Sequence, residues 1–162
     1  MPVERCTKDG KRGHRWGKSG TCHTGTYSRK RAEMDGDPYS GIDLVPPPDV
    51  RRAAKKGLEW RRIHGRGGLD PQEAGEAGVR SGVVRASTIE RGLRLSPEVI
   101  KAMVRYFSRH ESDKDAKGSE SNGFWGDDSN PSAGYVSWHL WGGDAGRRWA
   151  EARLKEIEKV EG

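Results

Sequence analysis

Four side chains among the first 23 residues are of the types that bind zinc: Cys6, His14, Cys22 and His23. Thiolate sulfur and imidazole nitrogen are the usual donors of a tetrahedral zinc site. The spacing argues against such a site, because the segment has no C-x2-C or H-x3-H pair and because Cys22 and His23 are adjacent. We therefore expect a turn-rich segment in which the two cysteines lie close together, either reduced or bridged.

A second set of chemically capable residues follows in the middle of the chain, where His110 and Glu111 precede Asp113. The HExxH motif of zinc proteases would need a second histidine at position 114, which is a lysine. A calcium loop that began at Asp113 would need its closing glutamate where Phe124 stands. A histidine at a helix C-terminus has an ordinary explanation, since a cation there complements the helix dipole. The segment therefore predicts neither a metal site nor an acid–base pair.

The glycine-rich stretch at residues 65–68 is a weak sign of nucleotide binding. It follows a predicted helix instead of a strand, and no Gly-Lys-Ser/Thr sequence comes after it. No nucleophile–base pair is evident elsewhere in the sequence. We therefore predict a protein that is not an enzyme and that has no catalytic, cofactor-binding or metal-binding residues.

The composition predicts a small core and an acidic partner. Hydrophobic residues make up 31% of the 162 residues, and the chain has 23 glycines and eight prolines. The net charge of +6 and the pI of about 9.5 favour binding to nucleic acid or to an acidic protein surface. No run of about 18 apolar residues is present, so we expect no membrane span, and we expect synthesis in the cytosol.

The periodicity predicts a mainly α fold with three regions. Residues 1–30 form a Cys- and Gly-rich turn or hairpin module, because Asp-Gly and spaced glycines are typical of tight turns. Residues 31–45 form a linker, and residues 46–162 form a small helical domain of four to five helices. Every strong apolar periodicity lies in that last region.

Helix boundaries within the last region follow from proline, serine and glycine. A helix is predicted from Pro48 or Asp49 to the glycines at 65–68, and a second one over residues 79–91. Ser96 is the expected N-cap of a helix that reaches about His110. The acidic, aperiodic residues 111–130 are expected to be a loop.

A tryptophan-rich stretch, residues 131–149, is expected to contain the packed centre. It predicts a helix from Pro131 to Trp141, a break at Gly142-Gly143, and a last helix with Asp144 as its N-cap. The preceding helix carries an apolar stripe that includes Met103 and Phe107. The predicted core residues are Met103, Phe107, Trp138, Trp141 and Trp149.

Basic residues concentrate on the predicted helix at 49–66, largely away from its apolar stripe. Such a helix can neutralise phosphates or acidic side chains, although it can also be a solvated face that covers the core. The acidic residues 110–130 either neutralise these cations within the chain or pair with them between copies. The predicted binding residues are Arg51, Arg52, Lys55, Lys56, Arg61, Arg62, Arg147 and Arg148.

Residues 46–150 resemble a small uncharacterised helical domain that recurs in proteins of tailed bacteriophages and prophages. The matching stretches are PPPDVRRAAKKGLEWRRIHGRGG, LSPEVIKAMVRYFSRHESDK and PSAGYVSWHLWGGDAGRRWA. The opening CTKDGKRGHRWGKSGTCHTG resembles a second phage-associated module found at the front of virion-related proteins. The resemblance implies a role in the virion or in head assembly, and it implies no reaction.

Two functions follow from these observations. The first is a bacteriophage virion or head-assembly accessory, a structural module that docks on a capsid protein or another virion protein after synthesis in the host cytoplasm. The second is a nucleic-acid-binding protein that uses the basic helix at 49–66. An enzyme is a remote third. The sequence does not identify the partner, the copy number or the symmetry.

Overall fold

The computed structural model describes residues 2–77 and 81–162, and its chain divides into two compact units. One unit comprises the residues up to Asp43 together with Val160–Gly162, and the other comprises Leu44–Lys159. The fold is mainly helical, as expected. The prediction of four to five helices is wrong, because the described residues contain seven α-helices, six of which begin in the second unit.

The first unit is a three-stranded antiparallel sheet with one helix. Its strands are β1 (Val3–Lys8), β2 (Lys11–Trp16) and β3 (His23–Thr24), in the order β1-β2-β3. Asp9 and Gly10 both have positive φ, as the two-residue turn of a tight hairpin requires. The predicted hairpin is therefore present, and Lys8 pairs with Lys11 beside its turn.

A disulfide between Cys6 and Cys22 ties β1 to the segment before β3. Closing a loop of this length stabilises a domain by about 3 kcal/mol. The contribution is large here, because Ala32 and Ile42 are the buried hydrophobic side chains that the described part of this unit holds. A bridged pair also provides no thiolate, so the two sulfurs are not zinc ligands in this state.

The linker predicted at 31–45 is wrong in its first part, where helix α1 (Ser28–Asp35) continues the first unit. This helix buries Ser28 and Ala32 and carries few aliphatic residues, so hydrophobic periodicity gives it no signal. Gly36 follows it and lies against the Trp16 ring, where a Cβ would have no room.

The second unit contains helices α2 (Pro48–His64), α3 (Pro71–Ala77), α4 (Gly82–Glu90), α5 (Pro97–Arg109), α6 (Ala133–Leu140) and α7 (Gly143–Glu161). A short 3-10 helix at Glu111–Asp115 follows α5. Residue 79, where the second predicted helix was expected to begin, lies outside the described residues. The described part of that helix is α4.

Serine side chains cap three of these helices. Ser81, Ser96 and Ser132 accept hydrogen bonds from backbone N–H groups three residues later, at 3.1–3.2 Å. The predicted N-cap at Ser96 is confirmed. The start predicted at Pro131 is wrong by two residues, because Ser132 is the cap and the helix begins at Ala133.

The predicted N-cap at Asp144 is wrong, because α7 already begins at Gly143. Gly142 and Gly143 both have positive φ, which lets the chain turn two residues earlier than an N-cap at Asp144 would require. Asp144 instead accepts a hydrogen bond of 2.9 Å from the Trp138 indole Nε1. The Asp144 carboxylate therefore joins α7 to α6 through the Trp138 side chain.

Trp138 is the centre of an aromatic cluster and is 1% exposed. Phe107 and Trp125 meet its ring edge to face, at centroid distances of 4.7 and 5.5 Å. Met103 and Phe107 are buried as predicted. Trp141 and Trp149 are only partly buried, so their assignment to the interior is too strong.

Trp141 lies on the edge of this cluster. Its ring stacks on Tyr106 with centroids 4.6 Å apart and planes 10° apart, and the Arg85 guanidinium lies 4.3 Å from its centroid. Such contacts stabilise a partly exposed indole without burying it completely.

We predict that Trp138→Ala lowers the free energy of unfolding by about 3–5 kcal/mol, since it leaves a cavity among rings that cannot close up. Asp144→Ala should cost less, about 1–3 kcal/mol, because it removes the acceptor of the indole N–H but leaves the ring packed. Urea denaturation followed by circular dichroism measures both. Unfolding of the Trp138→Ala protein at the wild-type urea concentration would contradict this assignment of the core.

Candidate partner-binding face

Helix α2 presents two different faces, and its sequence determines both. Val50, Ala54 and Gly57 recur at helical spacing and are buried. Gly57 lets α6 approach closely, since a Cβ there would lie 2.7 Å from the backbone nitrogen of Leu140. The helix ends at Gly65 in the left-handed conformation that glycine favours. The opposite face of α2 is exposed.

Four of the eight predicted binding residues are engaged within the chain, and two of these support the backbone. The Arg51 Nε donates to the carbonyl of Glu90, the last residue of α4, at 3.1 Å. Arg61 donates to the carbonyl of Gly67 at 3.0 Å and forms an ion pair of 2.8 Å with Glu73. Both cations therefore hold neighbouring segments against α2.

The other two engaged cations, Lys56 and Arg147, neutralise the acidic region at 110–130. Lys56 Nζ lies 2.6 Å from Asp128 and 4.9 Å from the centroid of the Trp60 ring. Arg147 contacts Glu111 at 3.0 Å and Glu151 at 3.1 Å. The hydrogen bond from Arg147 lowers the pKa of Glu111, and the same pairing raises the pKa of Arg147.

Of the two arrangements expected for the acidic residues, the structure thus contains internal neutralisation. His110 also contacts Asp113, at 3.0 Å. Asp127 accepts hydrogen bonds from the Ser129 hydroxyl and backbone, which lower its pKa. These acids organise their own loop and its contacts with the helices.

The remaining four predicted residues, Arg52, Lys55, Arg62 and Arg148, are exposed. None of their side chains forms a hydrogen bond or an ion pair with another residue in the part of the chain that the structure describes. Arg148 lies on α7. The other three are on the exposed side of α2, and we refer to their surface as the α2 outer face: Arg52, Lys55, Glu59, Arg62 and Ile63.

The α2 outer face is charged but not uniformly basic. Glu59 lies between Lys55 and Arg62 along the helix, and Ile63 is 62% exposed. At its N-terminal end, a shallow depression of about 260 Å³ is lined by Pro48, Arg51, Arg52, Lys55 and Glu90. The face therefore combines cations, one carboxylate and one large apolar side chain.

Arg66 is a structurally important residue that the sequence analysis did not identify. Its guanidinium donates to Asn130 Oδ1 and to the Pro131 carbonyl at 2.8 Å, and to the Ser121 carbonyl at 3.0 Å. Gly67 beside it packs against Val136 of α6, where a Cβ would come within 2.7 Å. The glycine-rich stretch at 65–68 thus serves close packing and loop attachment.

His139 lies beneath the exposed part of α2. Its ring packs on Trp60 and Tyr135, with centroids 4.8 and 4.6 Å away, and its Nδ1 contacts the Tyr135 carbonyl at 3.0 Å. Burial lowers the pKa of His139, and the nearby Lys56 acts in the same direction. The folded protein therefore favours the neutral imidazole more than the unfolded chain does.

Other chemically capable groups do not converge. No cluster of three or more His, Cys, Asp or Glu side chains that could hold a metal is found over residues 2–77 and 81–162. Burial raises the pKa of Tyr106 to about 12, so its hydroxyl, which contacts Ser137 at 2.9 Å, remains protonated. Within the same residues, no helix is both long and apolar enough to cross a membrane.

We predict that His139 makes stability depend on pH. An unfolded histidine has a pKa of about 6.5, and the folded value is lower, so below about pH 6.5 the unfolded state binds the proton more readily. The free energy of unfolding should therefore fall as the pH decreases from there.

The substitution His139→Asn keeps a donor for the Tyr135 carbonyl but removes the titration. The variant should lose part of this pH dependence in urea denaturation at about pH 7.5 and about pH 5.5. If the free energy of unfolding falls by the same amount between these two pH values in the variant and in the wild type, His139 does not contribute to the pH dependence.

Comparison with known proteins adds no relative. No protein-family model matches the chain, and no curated protein or solved structure shows significant similarity to it. The phage resemblance of residues 46–150 remains an expectation that rests on the residues quoted above.

Proposed function

We propose that this protein is a binding module, not an enzyme, and that its second unit docks on an acidic surface of a virion protein through the α2 outer face. The observation that carries the proposal is the division of the basic residues into two groups. Arg51, Lys56, Arg61 and Arg147 are engaged within the chain. Arg52, Lys55 and Arg62 are left exposed on one side of a helix whose other side is buried.

The support under this face favours recognition of a fixed surface. Gly57 packs α2 directly on α6, and Trp60 stacks with Tyr135 at a centroid distance of 5.2 Å. A helix held in this way presents its outer side chains with little reorganisation. Less conformational entropy is then lost when a partner binds.

The composition of the face favours a protein partner over nucleic acid. Binding to a phosphate backbone gains mainly from the number of phosphates neutralised, and proteins that bind duplex DNA tightly make roughly 6–10 such contacts. The α2 outer face offers three cations, and Glu59 would repel a phosphate. An exposed isoleucine bordered by charged residues is instead typical of a protein–protein interface.

The phage resemblance supplies the class of partner. The stretches that resemble phage proteins include both α2 and the tryptophan-rich helices that support it. A virion or head-assembly accessory is a structural role that needs docking and no reaction. A capsid protein or another virion protein with an exposed acidic surface fits this face.

Co-sedimentation with virions or proheads of the encoding phage tests the proposal. The triple substitution Arg52→Glu, Lys55→Glu and Arg62→Glu should reduce the bound fraction by tenfold or more, as expected when close charge pairs become repulsive. Its helical circular dichroism should be unchanged, because none of the three side chains contacts the core.

A matched control reverses three exposed cations elsewhere: Arg105 on α5, Lys117 in the acidic loop and Lys155 on α7. The control has the same net charge as the test variant and should still bind. Equal losses in both variants would show that overall charge is responsible and would contradict a defined docking face.

Nucleic-acid binding by α2 is the alternative, and a gel shift distinguishes it. If the proposal is correct, the α2 triple variant and the wild type should shift duplex DNA equally weakly at about 0.15 M salt. Tight duplex binding that is lost in this variant would favour the alternative instead.

A further inference from the structure

The first unit contains a groove on one face of the β1–β2 hairpin. It has a volume of about 580 Å³, is open to solvent, and is lined by Arg5, Cys6, Thr7, Arg12, Gly13 and His14. Neither the α2 outer face nor the aromatic cluster around Trp138 includes any of these residues. The fold alone does not explain this groove.

The strand register places two arginines on the same side of the hairpin. Arg5 pairs across the strands with His14, and Thr7 pairs with Arg12. Because successive residues of a strand point to opposite faces, Arg5 and Arg12 are diagonal neighbours on one face. Their Cα atoms are then roughly 7–8 Å apart or less, within reach of a common ligand.

Neither arginine is neutralised. Both are exposed, neither forms an ion pair with a residue in the described ranges, and the residues that line the groove include no carboxylate there. Glu4, the nearest acid on β1, points to the other face of the hairpin and contacts Arg15 at 3.6 Å. Like charges side by side without a counter-charge are unfavourable, and an anion between them removes the repulsion.

His14 and Thr7 add hydrogen-bonding groups to the same groove. His14 Nδ1 contacts the Ser28 hydroxyl at 2.7 Å, so its other ring nitrogen is the one left for a ligand. Thr7 pairs across the strands with Arg12 and lies two residues after Arg5 on β1, so it is on the same face as both arginines. Two guanidinium groups, a hydroxyl and an imidazole form a set that matches the several oxygens of a phosphate group.

We propose that this groove binds the phosphodiester backbone of a nucleic acid, independently of base sequence. An open groove accommodates a chain that continues past both ends, whereas a free polyphosphate would favour an enclosed site. Lys8 and Lys11 beside the hairpin turn, on the opposite face, add to the positive field that attracts such a strand. This site lies in the first unit and does not depend on docking by α2.

Fluorescence anisotropy with a labelled 20-nucleotide single strand and a duplex of the same length tests the proposal. With two phosphates neutralised, binding should be weak, and log K should fall with log salt at a slope of about −1.4 for the single strand and about −1.8 for the duplex. Arg5→Gln with Arg12→Gln should weaken binding tenfold or more and remove most of this slope. The disulfide, checked by thiol titration, should be intact.

The matched control is Lys8→Gln with Lys11→Gln, which removes the same charge from the same hairpin on its other face. This variant should keep most of the affinity and most of the salt slope. Equal losses in the two double variants would overturn the proposal, because the hairpin would then act only through its overall charge.

Two further outcomes separate the possible ligands. Tripolyphosphate that binds through Arg5 and Arg12 while neither oligonucleotide binds would overturn the nucleic-acid assignment. Loss of oligonucleotide binding in the α2 triple variant instead of the hairpin variant would also overturn it. Virion docking should be the same in the hairpin variant and the wild type, so the failure of one proposal is distinguishable from the failure of the other.

Discussion

The second unit depends on the burial of one indole, that of Trp138. An indole buries a large apolar surface, and its single polar atom needs a partner when buried. Asp144 provides that partner from the first turn of α7. Phe107 and Trp125 then fix α5 and the acidic loop against the same ring. A shared aromatic centre therefore joins α5, α6, α7 and the acidic loop.

This arrangement also decides which charges are available for binding. Lys114 lies 4.5 Å from the centroid of the Trp138 ring and 3.8 Å from Asp144, so a loop cation stabilises the core from outside. Arg66, just after α2, holds the acidic loop by hydrogen bonds, and Lys56 of α2 holds it by an ion pair. The folded acidic loop thus engages some of the basic residues. The cations that remain exposed on α2 belong to the smaller α2 outer face.

The sequence predicted the elements whose signals are local. Ser96 followed by Pro97 favours a helix start through local interactions, and Asp9-Gly10 favours a tight turn, so both were identified correctly. Helix α1 was missed, because its buried residues are Ser28 and Ala32 and its packing depends on the neighbouring sheet. Local pattern carries no information about such a partner.

The predicted binding residues also depend on contacts that local sequence pattern does not reveal. Arg61 was grouped with the exposed cations, although its spacing from Ala54 and Gly57 places it on the buried side of α2, where it pairs with Glu73. That error was avoidable from the sequence. Glu151, which lies four residues after Arg147, was also predictable as a helical ion-pair partner. The partners of Arg51 and Lys56, and Glu111 as the second partner of Arg147, were not, since they lie 36–72 residues away along the chain. Only the fold brings them together.

We propose that α2 faces its partner with Lys55, whereas the next residue, Lys56, is engaged in an ion pair with Asp128. Acetylation of lysines with a small reactive ester, quantified by peptide mass spectrometry with and without bound virions, measures this directly. Lys55 should react readily in the free protein and become protected in the complex, whereas the exposed Lys155 on α7 should react equally in both. Equal reactivity of Lys55 in the free and bound protein would contradict the account.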